Sequence, residues 1–199
     1  QFYGRRKGKP LRRHHFELMQ ELLPKLRVNL ASPMVEGETW LEIGFGGGEH
    51  IAHQAALHPQ VQFIGAEPFI NGVAKLLAEV EERQLANVRI HSDDARYLLP
   101  ALPTGSIARV YLLYPDPWPK ARQNKRRFVN ADNLKQIARL LPKGGLFLFA
   151  SDIADYVQWT LDEVAQSHSF ELAGNSPDPY DNWVQTRYEA KARREGRSS

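Results

Sequence analysis

Thr39-Trp40-Leu41-Glu42-Ile43-Gly44-Phe45-Gly46-Gly47-Gly48-Glu49 is the stretch on which the fold turns. Residues 39–43 form a short, largely apolar run that reads as a strand. Four glycines follow at 44, 46, 47 and 48. A helical stretch is predicted next, from about 49 to 57, stopped by Pro59. A strand, a glycine turn and a helix in that order open an α/β unit. Glycine lets the backbone approach a ligand closely, because no side chain blocks it and unusual dihedrals cost little there.

Working outward, the same alternation recurs. Residues 61–66 read as a second strand with Glu67 at its end. Residues 71–84 are an amphipathic helix with Val73, Leu76, Leu77 and Val80 on one face. Residues 88–90 are a third strand, ending near Asp93-Asp94. Residues 107–113 are a fourth, followed at once by Pro115-Asp116-Pro117-Trp118-Pro119. A helix is predicted over 132–141, an almost wholly apolar fifth strand over 146–150, and a helix over 153–167. Weaker strand signals lie near 169–173 and 183–189. Ahead of this unit, Phe16, Met19, Leu22, Leu23, Leu26 and Leu30 recur at helical spacing, with Pro24 placed to kink or split the helix. That stripe reads as core rather than as a partner interface. The pattern implies a mainly parallel sheet covered by helices on both faces. Ligands of such sheets bind beyond the carboxyl ends of the strands. Gly44–Gly48, Glu67, Asp94, Asp116 and Asp152 fall at five successive strand ends. No repeat or low-complexity linker divides the chain, so a basic N-terminal arm (1–15), whose order the sequence leaves open, and one domain (16–199) are expected.

The chain has 199 residues, 42% of them hydrophobic and 25% charged, within the range of an ordinary globular domain. No apolar run approaches the ~20 residues of a membrane-spanning helix, and no secretory signal is visible. Cysteine is absent, which excludes disulfides, a thiol nucleophile and a Cys-ligated zinc. A cytoplasmic protein is expected. Gln1 rather than Met opens the sequence, so part of a natural N-terminus is expected to precede it. His50 and His53 lie three apart without a third ligand pattern, so no metal is expected.

The formal net charge of +3 conceals a division. Residues 1–13, 120–127 and 187–197 hold 16 of the 26 basic residues and 2 of the 23 acids. The rest of the chain is strongly acidic. Single basic runs are often only solvated faces; three acid-poor runs, one directly after a strand-end motif, point to a polyanion such as nucleic acid.

The glycine turn departs from a dinucleotide fingerprint, since Glu49 stands where the third glycine belongs. A carboxylate at a helix N-terminus repels a pyrophosphate, and Glu42 adds a second negative charge. An amino group and a sulfonium suit such a mouth better. Glu67 can accept from both hydroxyls of a ribose, and Asp94 from an adenine amino group. Trp118, fixed between two prolines, either stacks on an extruded base or anchors its loop in the core. Asp116 on its own spacing is either a site acid or a turn residue.

Leu41-Glu42-Ile43-Gly44-Phe45-Gly46-Gly47-Gly48 resembles the first motif of S-adenosylmethionine-dependent methyltransferases. More specifically, the chain resembles the bacterial tRNA (guanine-N7)-methyltransferases through Tyr3-Gly4-Arg5-Arg6, Gly65-Ala66-Glu67-Pro68, Asp116-Pro117-Trp118-Pro119-Lys120, Lys125-Arg126-Arg127 and Thr186-Arg187-Tyr188-Glu189. It departs from the family at Gln123, where histidine is common. The resemblance implies a Rossmann-like methyltransferase fold with a seven-stranded, mostly parallel sheet whose last strand is antiparallel. It implies S-adenosyl-L-methionine held by Glu42, Glu67 and Asp94 around Gly44, Gly46 and Gly48. Asp116 is then the active-site acid, and Lys120, Asp152, Thr186, Arg187, Tyr188 and Glu189 serve the substrate side. Arg5, Arg6, Lys125, Arg126 and Arg127 become candidates for RNA contact. The implied product is N7-methylguanosine at position 46, in the tRNA variable loop, made by a monomer or homodimer. Guanine N7 carries a free lone pair and no proton, so methyl transfer needs no general base. Two other readings remain: a non-catalytic RNA-binding protein, for which these acids would be superfluous, and a nicotinamide-dependent dehydrogenase, which Glu49 and the basic runs oppose.

Overall fold

The computed structural model describes residues 4–33, 37–176, 189–190 and 194. Its centre is β1 (Thr39–Ile43), buried along its whole length. β2 (Gln62–Ala66) pairs with it on one side and β4 (Arg109–Leu113) on the other. β3 (Val88–His91) extends the sheet beyond β2, and β5 (Leu146–Ala150) extends it beyond β4. The order is β3-β2-β1-β4-β5, every pair parallel. The chain therefore winds outward from β1, returns, and winds out the other way. The reversal leaves a crevice between the ends of β1 and β4, where such sheets hold ligands.

Alternation along each strand divides two cores. Trp40, Phe63, Tyr111 and Leu113 face one side, with Ile51 of α3 (Glu49–Leu57) and Val73, Leu76, Leu77 and Val80 of α4 (Ile70–Arg83). Leu41, Ile43, Ile64, Val110 and Leu112 face the other, with Leu98 of α5 (Ala95–Leu98), Leu134, Ile137 and Leu140 of α6 (Ala131–Leu140) and Tyr156 of α7 (Ala154–Ser167). Each fully buried aliphatic side chain contributes about 1.5–3 kcal/mol, so the four on α4 alone account for its docking. The α4 bounds fall one residue from those read in its periodicity.

The N-terminal helical stretch breaks where proline demands it. α1 (Arg13–Glu21) ends before α2 (Leu23–Leu26), with Pro24 in the first turn of α2, where its missing N–H is not needed. The apolar stripe is only partly core. Leu23 is buried, whereas Phe16 and Leu30 are exposed.

The sheet corrects the expectation of seven strands with an antiparallel last member: among the described residues it has five, all parallel. The stretch 169–173 is irregular. His168, in the left-handed region at φ +52°, ends α7, and Phe170 reaches the core by packing its ring on Phe147 at 5.9 Å rather than through a ladder. Of the signal at 183–189, residues 183–188 lie outside the described residues.

One close approach determines how α4 meets the glycine turn. A Cβ on Gly72 would lie 2.0 Å from the Gly46 carbonyl oxygen. Gly72→Ala is expected to destabilise the protein by about 1–3 kcal/mol, as overpacking does. Gly174→Ala, where an added Cβ meets nothing within 4 Å, serves as the control. Urea unfolding of both variants reads the difference.

Candidate active site

The turn after β1 is built from left-handed residues: Gly44, Gly46 and Gly48 have φ of +73°, +57° and +83°. Two strands hold it. Gly44 N–H donates to the Ala66 carbonyl at 2.8 Å, and Gly46 N–H donates to Glu67 Oε2 at 2.8 Å. Glu67 Oε1 accepts from the Phe69 N–H at 2.9 Å. One carboxylate thus ties the β1–α3 turn to the β2–α4 turn. Gly44 borders the cleft, and a Cβ there would meet nothing within 4 Å, so its bare backbone leaves that space open. Gly48 instead lets the start of α3 close on Leu76 of α4.

Glu42 does not border the cleft. It points to the α3 side, is buried, and its Oε2 lies 2.6 Å from His50 Nδ1. The His50 ring packs against Tyr111 at 4.8 Å. This pair sits under the turn and braces it. His50 carried a sequence signal only in hindsight, as the second residue of the helix following the Glu42 strand.

Asp94 borders the cleft three residues beyond β3. It caps α5 by accepting the Arg96 N–H at 3.0 Å, and its two oxygens take the Arg96 guanidinium at 2.6–3.0 Å. Neighbouring Asp93 takes Arg6 at 2.8 Å. Burial works against ionisation of Asp93, but the Asp94 N–H and the Arg6 guanidinium hold its carboxyl below the usual range. Arg6 also accepts the Ile70 N–H on its carbonyl, while Asn71 bonds Gly8 N–H at 2.7 Å and the Lys9 carbonyl at 2.7 Å. The arm is thereby stitched across the β2 and β3 ends, bringing Gly4 and Arg5 to the cleft wall.

Asp116 lies three residues beyond β4 and completes a cleft of about 350 Å³ shared with Gly44, Gly46, Glu67 and Asp94. Two side-chain-bearing residues around it, Tyr114 at φ +49° and Trp118 at φ +45°, are in the left-handed region, a strain that persists where a loop is held for a purpose. Trp118 borders the cleft with the Arg126 guanidinium 5.0 Å from its ring. Asp116 is open at the cleft mouth, yet the surrounding walls partly desolvate it and raise its pKa above the ordinary carboxylate value.

The remaining candidates divide. Lys120 and Lys125 are exposed around the short 3₁₀ turn Ala121–Arg126, and Arg126 borders the cleft. Arg127 corrects the expectation of RNA contact: only 2% of it is exposed, and it faces α7. Asp152 follows β5 and is half-buried outside the cleft lining, while Glu189 is buried. Thr186, Arg187 and Tyr188 lie outside the described residues. Arg96, which occupies Asp94, gave no motif signal.

Solved methyltransferases have this fold. The precorrin-6y C5,15-methyltransferase of Geobacter metallireducens superposes with a TM-score of 0.54 over 76% of this chain and 69% of its own, at 15% identity. The 16S rRNA methyltransferase KamB gives 0.51 over 69% and 71%, at 16% identity. A family model described as "Putative methyltransferase" matches residues 36–199. Fold and family model together define a methyltransferase of Rossmann-like fold. Curated relatives narrow the class. The tRNA (guanine-N(7)-)-methyltransferase of Agrobacterium fabrum is 52% identical over all of this chain and 91% of its own length, and that of Rhizobium meliloti 49% over the same shares. The chain belongs to the tRNA (guanine-N7)-methyltransferase family.

Because the folded pKa of Asp116 is raised, its linkage favours folding at acidic pH. That contribution is complete below the unfolded carboxylate value and is lost as pH rises through the folded one. Asp116→Asn removes the partly desolvated charge, so its thermal midpoint is expected above wild type at pH 7. The gap should close as pH falls through the carboxylate range, as scanning calorimetry across pH would record.

Proposed function

We propose that this chain methylates N7 of the guanine at position 46, in the tRNA variable loop, by direct transfer from S-adenosyl-L-methionine. The observation that carries the reading is the meeting of Asp116 with Glu67, Asp94 and the bare Gly44 backbone around one cleft. That donor set fits the cofactor. Glu67 stands at the end of β2 with its carboxylate bonding the Gly46 and Phe69 N–H groups, and each carboxylate oxygen can accept more than one hydrogen bond, as two ribose hydroxyls require. Asp94 offers an acceptor for an adenine amino group, shared with Arg96. The acidic surroundings suit a ligand bearing an amino group and a sulfonium. When bound, S-adenosylmethionine supplies an electrophilic methyl group that the N7 lone pair can take without prior proton removal.

The protein's part is positioning and charge. Positive charge develops on the purine as N7 is alkylated, and the Asp116 carboxylate stabilises it from a partly desolvated site. The same group can accept the guanine N1–H and N2–H bonds. Trp118, at the cleft wall beside it, offers a face on which the extruded base stacks. Holding donor and acceptor in line supplies roughly 7–11 kcal/mol in well-oriented systems. Arg5 and Arg126 at the cleft, with exposed Lys120 and Lys125, are read as the phosphate-binding rim. Lys120, Asp152, Thr186, Arg187, Tyr188 and Glu189 are read as the substrate side. The enzyme is read as cytoplasmic, where its tRNA substrate is found, and as a monomer or homodimer. A merely RNA-binding protein would have no use for Glu67, Asp94 and Asp116 at one crevice.

Reaction with unmodified tRNA, followed by mass mapping, is expected to place one methyl group on the variable-loop guanine; methylation elsewhere would overturn the assigned position. Asp116→Ala should abolish transfer while calorimetry still detects S-adenosylmethionine binding. Arg126→Gln should weaken tRNA binding and lower the slope of log K against log salt by about 0.9, the share of one phosphate contact.

A further inference from the structure

We propose that Arg127 is a positioning residue of the methyl-transfer site: it clamps the loop at residues 115–119 to α7 and makes no contact with RNA. The inference rests on the methyl-transfer reading only for what the loop does, not for how it is held.

A buried guanidinium can have its charge and its N–H groups met only from within the protein. Here Nε and one terminal nitrogen are bonded, while Nη1 has no hydrogen-bond partner among the described residues. The Arg127 side chain is 1% exposed. Its Nε–H donates to the Pro117 carbonyl at 2.9 Å, and its second terminal nitrogen pairs with the carboxylate of Asp155. The guanidinium carbon lies 4.9 Å from the Tyr156 ring centre and 5.1 Å from that of Trp159, within cation–π range of both. Asp155, Tyr156 and Trp159 all belong to the first turns of α7, so one helix supplies the carboxylate and both rings.

The clamp continues into the segment after Arg127. The Tyr156 hydroxyl accepts from the Phe128 N–H at 3.1 Å and the Val129 N–H at 3.4 Å, and Trp159 Nε1–H donates to the Val129 carbonyl at 2.8 Å. Burial pushes the Tyr156 hydroxyl up to about 12, so it stays neutral through the physiological range.

The loop needs such a handle. Pro115, Pro117 and Pro119 have no N–H to give to a ladder or turn. The Pro117 carbonyl belongs to the peptide that enters Trp118, the residue at φ +45°, and Asp116 lies immediately before Pro117. Fixing this carbonyl therefore restrains the two side chains that face the cleft from the loop. Arginine is suited because its planar fork can bond the carbonyl and the carboxylate while its faces meet two rings. The point charge of lysine cannot make all four contacts. The basic run thus splits at adjacent residues: Arg126 goes to the cleft, Arg127 to the interior.

Arg127→Lys keeps the charge and tests the fork. Hydrogen exchange at the Asp116 and Trp118 amides is expected to speed up, and kcat for tRNA methylation to fall about 10- to 100-fold. The affinity for S-adenosylmethionine and the salt slope of tRNA binding should not change. A lower salt slope with kcat intact would make Arg127 a phosphate contact and overturn the proposal. Unchanged exchange and kcat in a folded variant would reduce it to passive core and overturn it equally. Should Arg127→Lys not fold, Asp155→Asn severs only the exposed anchor. Faster exchange at Trp118 then supports the clamp, and no change overturns it. If wild type leaves tRNA unmethylated, the methyl-transfer reading fails while the exchange measurement still decides the clamp.

Discussion

The carboxylate of Glu67 holds together the two turns on which the cleft depends. One oxygen receives the Gly46 N–H and the other the Phe69 N–H, each within 2.9 Å. The first bond keeps the glycine turn folded back toward β2, and the second sets where α4 begins. α4 can then close on the turn because Gly72 has no Cβ to strike the Gly46 carbonyl. Beneath, the Glu42–His50 pair braces the same turn from the α3 side. A ligand meeting this wall finds backbone already shaped, with no side chain to clear away.

Around that wall the charges are sorted. Acids stand at the strand ends, where the sheet topology brings them together, and cations come from the loops, the arm and the short α5. Several of those cations are spent within the protein: Arg6 on Asp93, Arg96 on Asp94, Arg127 on Asp155. The basic surface offered to a polyanion is therefore smaller than the count of basic residues, and more sharply located, with Arg5 and Arg126 at the cleft itself. Burial alone raises the pKa of Asp116, whereas the Asp94 N–H and Arg6 hold Asp93 low. Asp116 stands as a carboxylate in partly desolvated surroundings, which is the setting in which a developing positive charge is most strongly felt.

Much of this was legible in advance for a physical reason. Strands buried on both faces leave short apolar runs, and a helix lying on such a sheet leaves a stripe of period 3.6. Thus β1, buried throughout, and α3 and α4 can be read to within a residue, as can β5, whose run is apolar although this edge strand is only partly covered. The acids at the strand ends could be listed because the ends were known and parallel sheets bind there. α5 was not legible, being four residues capped by an acid that looked functional. Nor was the irregular stretch at 169–173, where an apolar residue reaches the core without joining a ladder.

Sequence alone determined the α/β alternation, the glycine turn and the set of acids that would meet beyond the sheet, since each is encoded by local spacing. Only the tertiary structure decided what each charged group faces. Arg126 and Arg127 are neighbours in a basic run, and nothing local tells them apart. One borders the cleft beside Trp118, and the other is enclosed by three residues of a helix that begins 27 positions later. The fate of a charge depends on the element packed against it, and that partner is chosen by the fold as a whole.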